Sequence, residues 1–99
     1  MLTITAIIRV RKGYEQTMLQ ALREVAEHVR ENEASTVGFF VSQDVSDPCR
    51  FTTYERFADQ AAMDIHNGSP VVARFFGIAK PILDGEVTLL TCQEVSAKA

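Results

Sequence analysis

Two side chains in the stretch YERFADQAAMDIH, residues 54 to 66, have the chemistry of proton transfer. His66 lies at the end of a predicted helix, seven residues after Asp59, and an imidazole exchanges protons near neutral pH. Glu55 lies on the preceding strand, and a carboxylate buried there needs a partner such as His66 or an arginine. We therefore take His66 as the candidate general base and Glu55 as the group that orients or replaces it. Two structural alternatives stay open: a helix-end histidine bound to a backbone carbonyl, and a carboxylate in an ordinary ion pair.

The same strand carries two candidate substrate-binding residues, Arg50 and Tyr54. Side chains alternate along a strand, so these two share one face while Glu55 lies on the other. The sequence leaves open which face lines a cavity. An inward Arg50 would stabilise an oxyanion through charge-assisted hydrogen bonds. The alternative is a salt bridge to Asp44 or Asp47 in the neighbouring turn.

A flat apolar ligand needs aromatic and aliphatic walls. The chain contains six phenylalanines, most of which are expected in the core. We predict that Phe40 on the second strand, with Phe76 and Ile78 in the last helix, lines such a pocket.

Metal ligands in a recognisable spacing are missing from the sequence. The two histidines, His28 and His66, fall on different predicted helices, and no HxxxH or CxxC spacing occurs. Composition alone leaves open an iron site of two histidines and one carboxylate. No GxGxxG or GxxxxGK loop is present, so a nucleotide cofactor is not expected. His28 is expected to be a solvated partner of Glu24, four residues earlier.

Composition and charge narrow the class of protein. The chain has 99 residues, 46% of them hydrophobic, and a net charge of -3 with scattered basic residues. This balance predicts neither nucleic acid nor an anionic membrane as a partner. No apolar run approaches the roughly 18 to 20 residues needed to span a bilayer, and the basic residues follow the first apolar run, the reverse of a signal peptide. We expect a cytoplasmic protein in which Cys49 and Cys92 stay reduced.

The hydrophobic periodicity predicts seven elements. Period-two alternation predicts strands, and apolar residues spaced by three and four predict helices. Asp59 and Ser69 are suitable N-caps for the two later helices, and Pro70 suits the first position of the last one. The predicted elements are a strand at 2–10, a helix at 14–31, a hairpin of 37–44 with 50–57, helices at 60–66 and 71–79, and a strand at 85–95.

The order β-α-β-β-α-α-β is that of the ferredoxin-like α+β fold, with one antiparallel four-stranded sheet. Right-handed crossovers place the helices on one face of the sheet. The other face keeps apolar residues on several strands, so a second copy of the chain is expected to cover it and to form a dimeric α+β barrel. We predict a single domain over residues 1–95 and a frayed tail at 96–99.

With this order, the motifs DPCRF (47 to 51), YERF (54 to 57), DQAAMDIH (59 to 66) and SP (69 to 70) resemble the antibiotic biosynthesis monooxygenase-like family. The resemblance covers nearly the whole chain. The resemblance implies a dimeric α+β barrel. Some members of the family are oxygenases that act on quinols and aromatic polyketides without metal or flavin. The family also contains a haem-degrading branch, an isomerase of a phosphorylated sugar and members of unknown activity, so the resemblance indicates fold more narrowly than function.

The chain departs from the family pattern at two points. Many quinol-oxygenase-like members have a second histidine after Ser-Pro, where this sequence has Val71. The haem-degrading branch relies on a tryptophan, and this chain has none. The chain therefore lacks the second histidine of that site, and haem degradation is not expected.

The resemblance leads to one functional hypothesis and two alternatives. The first is cofactor-independent oxidation of a small quinol or polyphenolic aromatic by dioxygen, with His66 as the base. An isomerase acting on a small hydroxy-carbonyl or phosphorylated sugar would use the same base but would need cationic contacts such as Arg50 or Arg74. A noncatalytic dimer that binds a hydrophobic ligand is the third.

Overall fold

The computed structural model describes residues 1–98 and contains the seven predicted elements in the predicted order, with a short 3-10 turn between the last helix and the last strand. The predicted frayed tail includes position 99, which lies outside the described residues. The elements are β1 (Leu2–Arg9), α1 (Glu15–Asn32), β2 (Thr36–Gln43), β3 (Arg50–Phe57), α2 (Gln60–Asn67), α3 (Pro70–Ala79), the 3-10 turn Lys80–Ile82, and β4 (Thr88–Gln93).

The four strands form one antiparallel sheet in the order β2-β3-β1-β4. In the register of the central pair, Ile4 lies opposite Glu55 and Thr5 lies opposite Tyr54. The predicted ferredoxin-like β-α-β-β-α-α-β fold with one four-stranded antiparallel sheet is thus confirmed. The two central strands are β1 and β3, and in β3 every second side chain is buried, as expected for an antiparallel strand with one face on the core.

The two later helices begin where their capping residues indicate. The Asp59 carboxylate accepts a hydrogen bond of 2.9 Å from the Ala62 amide at the start of α2. Ser69 Oγ accepts one of 3.3 Å from the Val72 amide at the start of α3, and Pro70 is the first residue of that helix. These caps satisfy amides that the first turn of a helix leaves without partners, and they set the direction in which each helix leaves the sheet.

The two faces of the sheet have different surroundings. The inner face packs against the helices and carries the alternate residues of β3 that are buried, which are Phe51, Thr53, Glu55 and Phe57. The outer face carries exposed apolar side chains on all four strands, which are Ile7, Phe40, Tyr54 and Leu90. Glu55 therefore faces the helices, which decides the question of strand orientation that the sequence left open.

The core lies between the inner face and α1. The buried residues of α1 are spaced by three and four positions, as the sequence predicts, and they are Met18, Ala21, Leu22, Val25 and Val29. Packing is incomplete toward α2 and α3, where a cavity remains. Among residues 1–98, the helices are all too short or too polar to cross a membrane.

Candidate active site

A cavity of about 240 Å³ lies between the inner face of the sheet and the three helices. Its polar lining consists of Thr53, Glu55, His66 and Asn67, and its remaining walls are apolar. Leu89 and Phe76 line it and are still 57% and 44% exposed, so the cavity opens between β4 and α3. This volume lies just below the range of about 300–1,000 Å³ that is usual for ligand pockets.

His66 is the central residue of the polar lining. The last turn of α2 carries it to the inner face, where it is 4% exposed, and the rings of Phe39 and Phe57 lie 5.6 Å and 5.3 Å from its own. Its Nδ1 lies 2.8 Å from Glu33 Oε1, and its Nε2 lies 3.2 Å from Glu55 Oε1. Both ring nitrogens thus face carboxylates.

Glu33 is the residue of this cluster that the sequence reasoning missed. It follows the last turn of α1 and is buried, and its Oε1 also accepts a hydrogen bond of 2.8 Å from Thr36 Oγ1. One signal was available: a carboxylate directly after a helix opposes the helix dipole, so its position calls for a cation or donor elsewhere in the fold.

The predicted partner of His28 was wrong. His28 Nε2 lies 3.5 Å from Glu33 Oε2, while Glu24 instead pairs with Arg74 at 2.7 Å. Glu33 Oε2 is buried without a hydrogen bond in the described part of the chain, so the contact with His28 is electrostatic only. The turn between α1 and β2 brings Glu33 back toward His28, and this contact could not be inferred from helical spacing.

Glu55 is held by a donor from its own strand. Thr53, two residues earlier on the same face, donates from its Oγ1 to Glu55 Oε2 over 2.8 Å. The other oxygen, Oε1, is the one that faces His66. Both groups line the cavity, so the carboxylate of Glu55 is held at the cavity wall by a hydrogen bond to one oxygen and an ion-pair contact to the other.

The surroundings of His66 favour the charged ring. Burial by itself lowers the pKa of the imidazole, but hydrogen bonds and attraction to Glu55 and Glu33 outweigh it, so the pKa of His66 is raised above its usual value of 6.5. A neutral imidazole has one N–H and donates to one carboxylate, whereas an imidazolium donates to both. The cluster contains two acidic side chains and one basic side chain, so the acidic groups are in excess.

Some predicted binding residues lie away from the cavity. Of the three apolar candidates, Phe76 lines it. Phe40 and Tyr54 lie on the outer face, where their ring centroids are 6.3 Å apart. Ile78 belongs to α3 but contributes to a separate surface groove with residues of α1. Within one chain, the cavity is therefore not lined by Phe40, Tyr54 or Ile78.

Arg50 also lies away from the cavity. It is on the outer face at the start of β3, and its Nε donates to Asp44 Oδ2 over 2.8 Å. This salt bridge across the hairpin is the structural alternative that the sequence left open for Arg50.

The position that lacks the second histidine also lies away from the cavity. Val71 is not among the lining residues, whereas its neighbour Val72 is. Among residues 1–98, no group of three or more histidine, cysteine, aspartate or glutamate side chains is arranged to hold a metal ion. The polar part of the site is the carboxylate–imidazole–carboxylate cluster together with Thr53 and Asn67, and the other walls are apolar.

This fold, with a small cavity between the helices and one face of an antiparallel sheet, defines a class of compact α+β proteins. The sequence model of the antibiotic biosynthesis monooxygenase family matches residues 1–77. The chain belongs to this family, as the motifs indicated.

Solved structures show the same fold. A crystal structure of an antibiotic biosynthesis monooxygenase has 24% identity and a TM-score of 0.88, over 97% of this chain and 100% of that one. A Pseudomonas aeruginosa protein has 24% identity and a TM-score of 0.86, over 96% and 94%. A Mycobacterium tuberculosis protein has 15% identity and a TM-score of 0.90, over 99% and 98%. The comparison with curated proteins gave no match.

Proposed function

We propose that the protein is a cofactor-independent monooxygenase that oxidises a small quinol or polyphenolic aromatic in this cavity. One observation carries the proposal: Glu55, which accepts a hydrogen bond from Thr53 and pairs with His66, lies at the wall of a mainly apolar cavity. Apolar walls suit an aromatic ring, and a fixed carboxylate suits removal of a proton from a phenolic hydroxyl. Membership of the antibiotic biosynthesis monooxygenase family supports the same reaction class.

The proton-transfer roles differ from those expected from the sequence. Both nitrogens of His66 face carboxylates, so the charged ring has no free lone pair for a substrate proton. We assign the base to the Glu55 carboxylate, and we assign to His66 the role of a cation that orients Glu55 and stabilises the substrate anion. Glu55 and, to a smaller extent, Glu33 favour the charged ring, and Glu33 also holds it in position.

The oxygen chemistry is then a property of the substrate anion. Glu55 takes the hydroxyl proton, and the electron-rich ring supplies electrons to dioxygen. In the overall reaction, a hydroquinone and dioxygen give a hydroxyquinone and water. One oxygen atom forms a new C–O bond, the other leaves as water, and the substrate supplies all four electrons. The apolar cavity holds the ring and limits access of bulk water to the anion.

The isomerase alternative lacks a phosphate site in this cavity. Among the described residues, no arginine or lysine lines it. Arg50 and Arg74 pair with Asp44 and Glu24 at the surface. A phosphorylated sugar would bury its charge without an arginine or lysine beside it, and both nitrogens of His66 already face carboxylates, so its binding is strongly unfavourable. Noncatalytic ligand binding remains as an outcome of the experiment below.

We also propose that two chains form a homodimer through their outer faces. Phe40 and Leu90 on this face are 58% and 53% exposed, and its central residues are uncharged. A second copy fits because two such faces meet without like-charge repulsion. The arginines of the outer face are paired within the chain: Arg9 with Asp47, Arg50 with Asp44, and Arg56 with Glu94.

Oxygen consumption by metal-stripped protein tests the function. We would use a panel of hydroquinones and anthrones, correct for autoxidation, and follow ¹⁸O from labelled dioxygen into the product. The expected result is uptake with one labelled atom per product, reduced about 100-fold or more in Glu55→Gln, as for loss of a general base. Glu27→Gln, an exposed change on α1, is the matched control. Uptake equal to the buffer blank across the panel contradicts the monooxygenase and leads to ligand-binding assays.

A further inference from the structure

We propose that the cavity binds uncharged aromatic alcohols and rejects aromatic anions of the same size, with Glu33 as a residue that determines this specificity. The inference deepens the proposed function, and it rests on that function only in taking this cavity as the substrate site.

The charges around the cavity are unbalanced. Its ionisable lining residues are Glu55 and His66, and Glu33 contacts His66 from the side opposite Glu55. One imidazolium between two carboxylates leaves one net negative charge. All three side chains are at most 9% exposed, so solvent screens this charge poorly.

Cations nearby do not restore the balance. His28 is the one further ionisable group in contact with Glu33 among the described residues, at 3.5 Å from Oε2. Its side chain is 32% exposed and does not line the cavity, so solvent screens its charge from a ligand. Arg74 is paired with Glu24 on the far surface of α1 and α3.

A ligand's charge then decides its affinity. A neutral hydroxyl donates a hydrogen bond to Glu55 and keeps its ring in the apolar part of the cavity. A carboxylate or phosphate loses its hydration shell and meets a buried negative charge without an arginine or lysine to pair with. Two-ring ligands suit a volume of about 240 Å³.

Glu33 and Glu55 have separable effects on this selection. Glu55 contacts the ligand directly, so Glu55→Gln changes both the hydrogen bond and the charge. Glu33 lies behind His66 and does not line the cavity, so Glu33→Gln removes one carboxylate while Glu55 still favours the charged His66 ring and the ligand keeps its contacts. The glutamine oxygen can still accept the hydrogen bonds from His66 and Thr36.

The test compares 2-naphthol, 2-naphthoate and 2-naphthyl phosphate, which share one ring system. Binding is followed by naphthalene fluorescence, which is practicable because the chain has no tryptophan. We expect 2-naphthol to bind at least about tenfold more tightly than either anion, and we expect Glu33→Gln to reduce that ratio about threefold or more. Glu27→Gln should leave the ratio unchanged.

Several outcomes overturn the inference. Equal or tighter binding of the anions does so, as does the absence of 2-naphthol binding. If the folded Glu33→Gln variant has the same ratio of affinities for 2-naphthol and the anions as the wild type, Glu33 does not determine the specificity. The probes do not have to react, so selection of 2-naphthol without oxygen uptake by any quinol would contradict the proposed monooxygenase and leave the charge selection standing.

Discussion

Glu33 Oε1 lies 2.8 Å from His66 Nδ1, and this buried pair joins residues 33 positions apart. The contact connects the end of α1 to the last turn of α2. With Glu55 on the other side of the ring, both ring nitrogens face carboxylates, and this is why we propose Glu55 rather than His66 as the proton acceptor.

The first prediction concerns pH and the Glu33–His66 pair. The folded-state pKa of His66 is raised above the unfolded value of about 6.5, so the pair's contribution to stability is fully present below about pH 6.5 and is lost as pH rises through the folded pKa. We expect Glu33→Gln to cost about 1 to 3 kcal/mol near pH 6 and progressively less at higher pH.

Urea unfolding of the wild type and the variant across this pH range measures the difference. Glu27→Gln is the control, because Glu27 pairs with Arg30 on the surface of α1. A cost of Glu33→Gln that stays constant or grows with rising pH would contradict a charged His66.

The second prediction concerns the donor to Glu55. Thr53→Val preserves shape and removes the hydroxyl that donates to Glu55 Oε2, leaving that buried oxygen without this hydrogen bond. We expect a loss of about 2 kcal/mol in the free energy of unfolding, as for hydrogen bonds to charged groups. Thr17→Val, an exposed site on α1, is the matched substitution. Equal effects of the two changes in urea titrations would show that the Thr53 hydroxyl contributes nothing specific.

The third prediction separates two neighbouring valines at the start of α3. Val72 lines the cavity and Val71 does not. We expect Val72→Phe to fill part of the cavity and to weaken 2-naphthol binding about tenfold or more, as overpacking of a small site would. Val71→Phe should bind as the wild type does. If both variants bind equally, the ligand does not occupy this cavity.

The fourth prediction concerns the histidine that other members have after Ser-Pro. Because Val71 does not line the cavity, Val71→His should neither increase nor decrease oxygen uptake. Rates are compared with wild type at several pH values, since an added imidazole would act over its own titration range. A gain in rate would mean that position 71 reaches the substrate. That result would contradict the prediction, which rests on Val71 lying outside the cavity of a single chain.

The fifth prediction concerns the outer face. Leu90→Glu places a charge in the proposed interface between two chains, where it would be buried opposite its own symmetry copy. We expect light scattering to give half the wild-type molar mass. Val45→Glu, in the exposed hairpin turn, should leave the mass unchanged. A wild-type protein that is already monomeric would contradict the homodimer.

The sequence predicted the fold well because its signals are local. Alternation marks β3, three-and-four spacing marks α1, and Asp59 and Ser69 mark the starts of the later helices. Each of these signals involves residues only a few positions apart in the sequence. Strand order follows from handedness and short connections, which leave few arrangements of these elements.

The site was predicted in part for the same reason. His66 and Glu55 fall near each other in sequence, and the structure brings them to 3.2 Å. Glu33 was missed because its contact with His66 depends on how α1 and α2 pack against the sheet. Phe40 and Tyr54 were grouped with the cavity because alternation assigns residues to a face without saying which face the helices cover.

By itself, then, the sequence determined the elements, their order and the parity of each strand, since these depend on neighbouring residues. Tertiary structure alone decided that Glu55 faces the helices, that Glu33 meets His66, and that both ring nitrogens are occupied. These contacts join positions far apart in the chain. Their energies depend on burial and mutual distance, which exist only once the helices pack on the sheet.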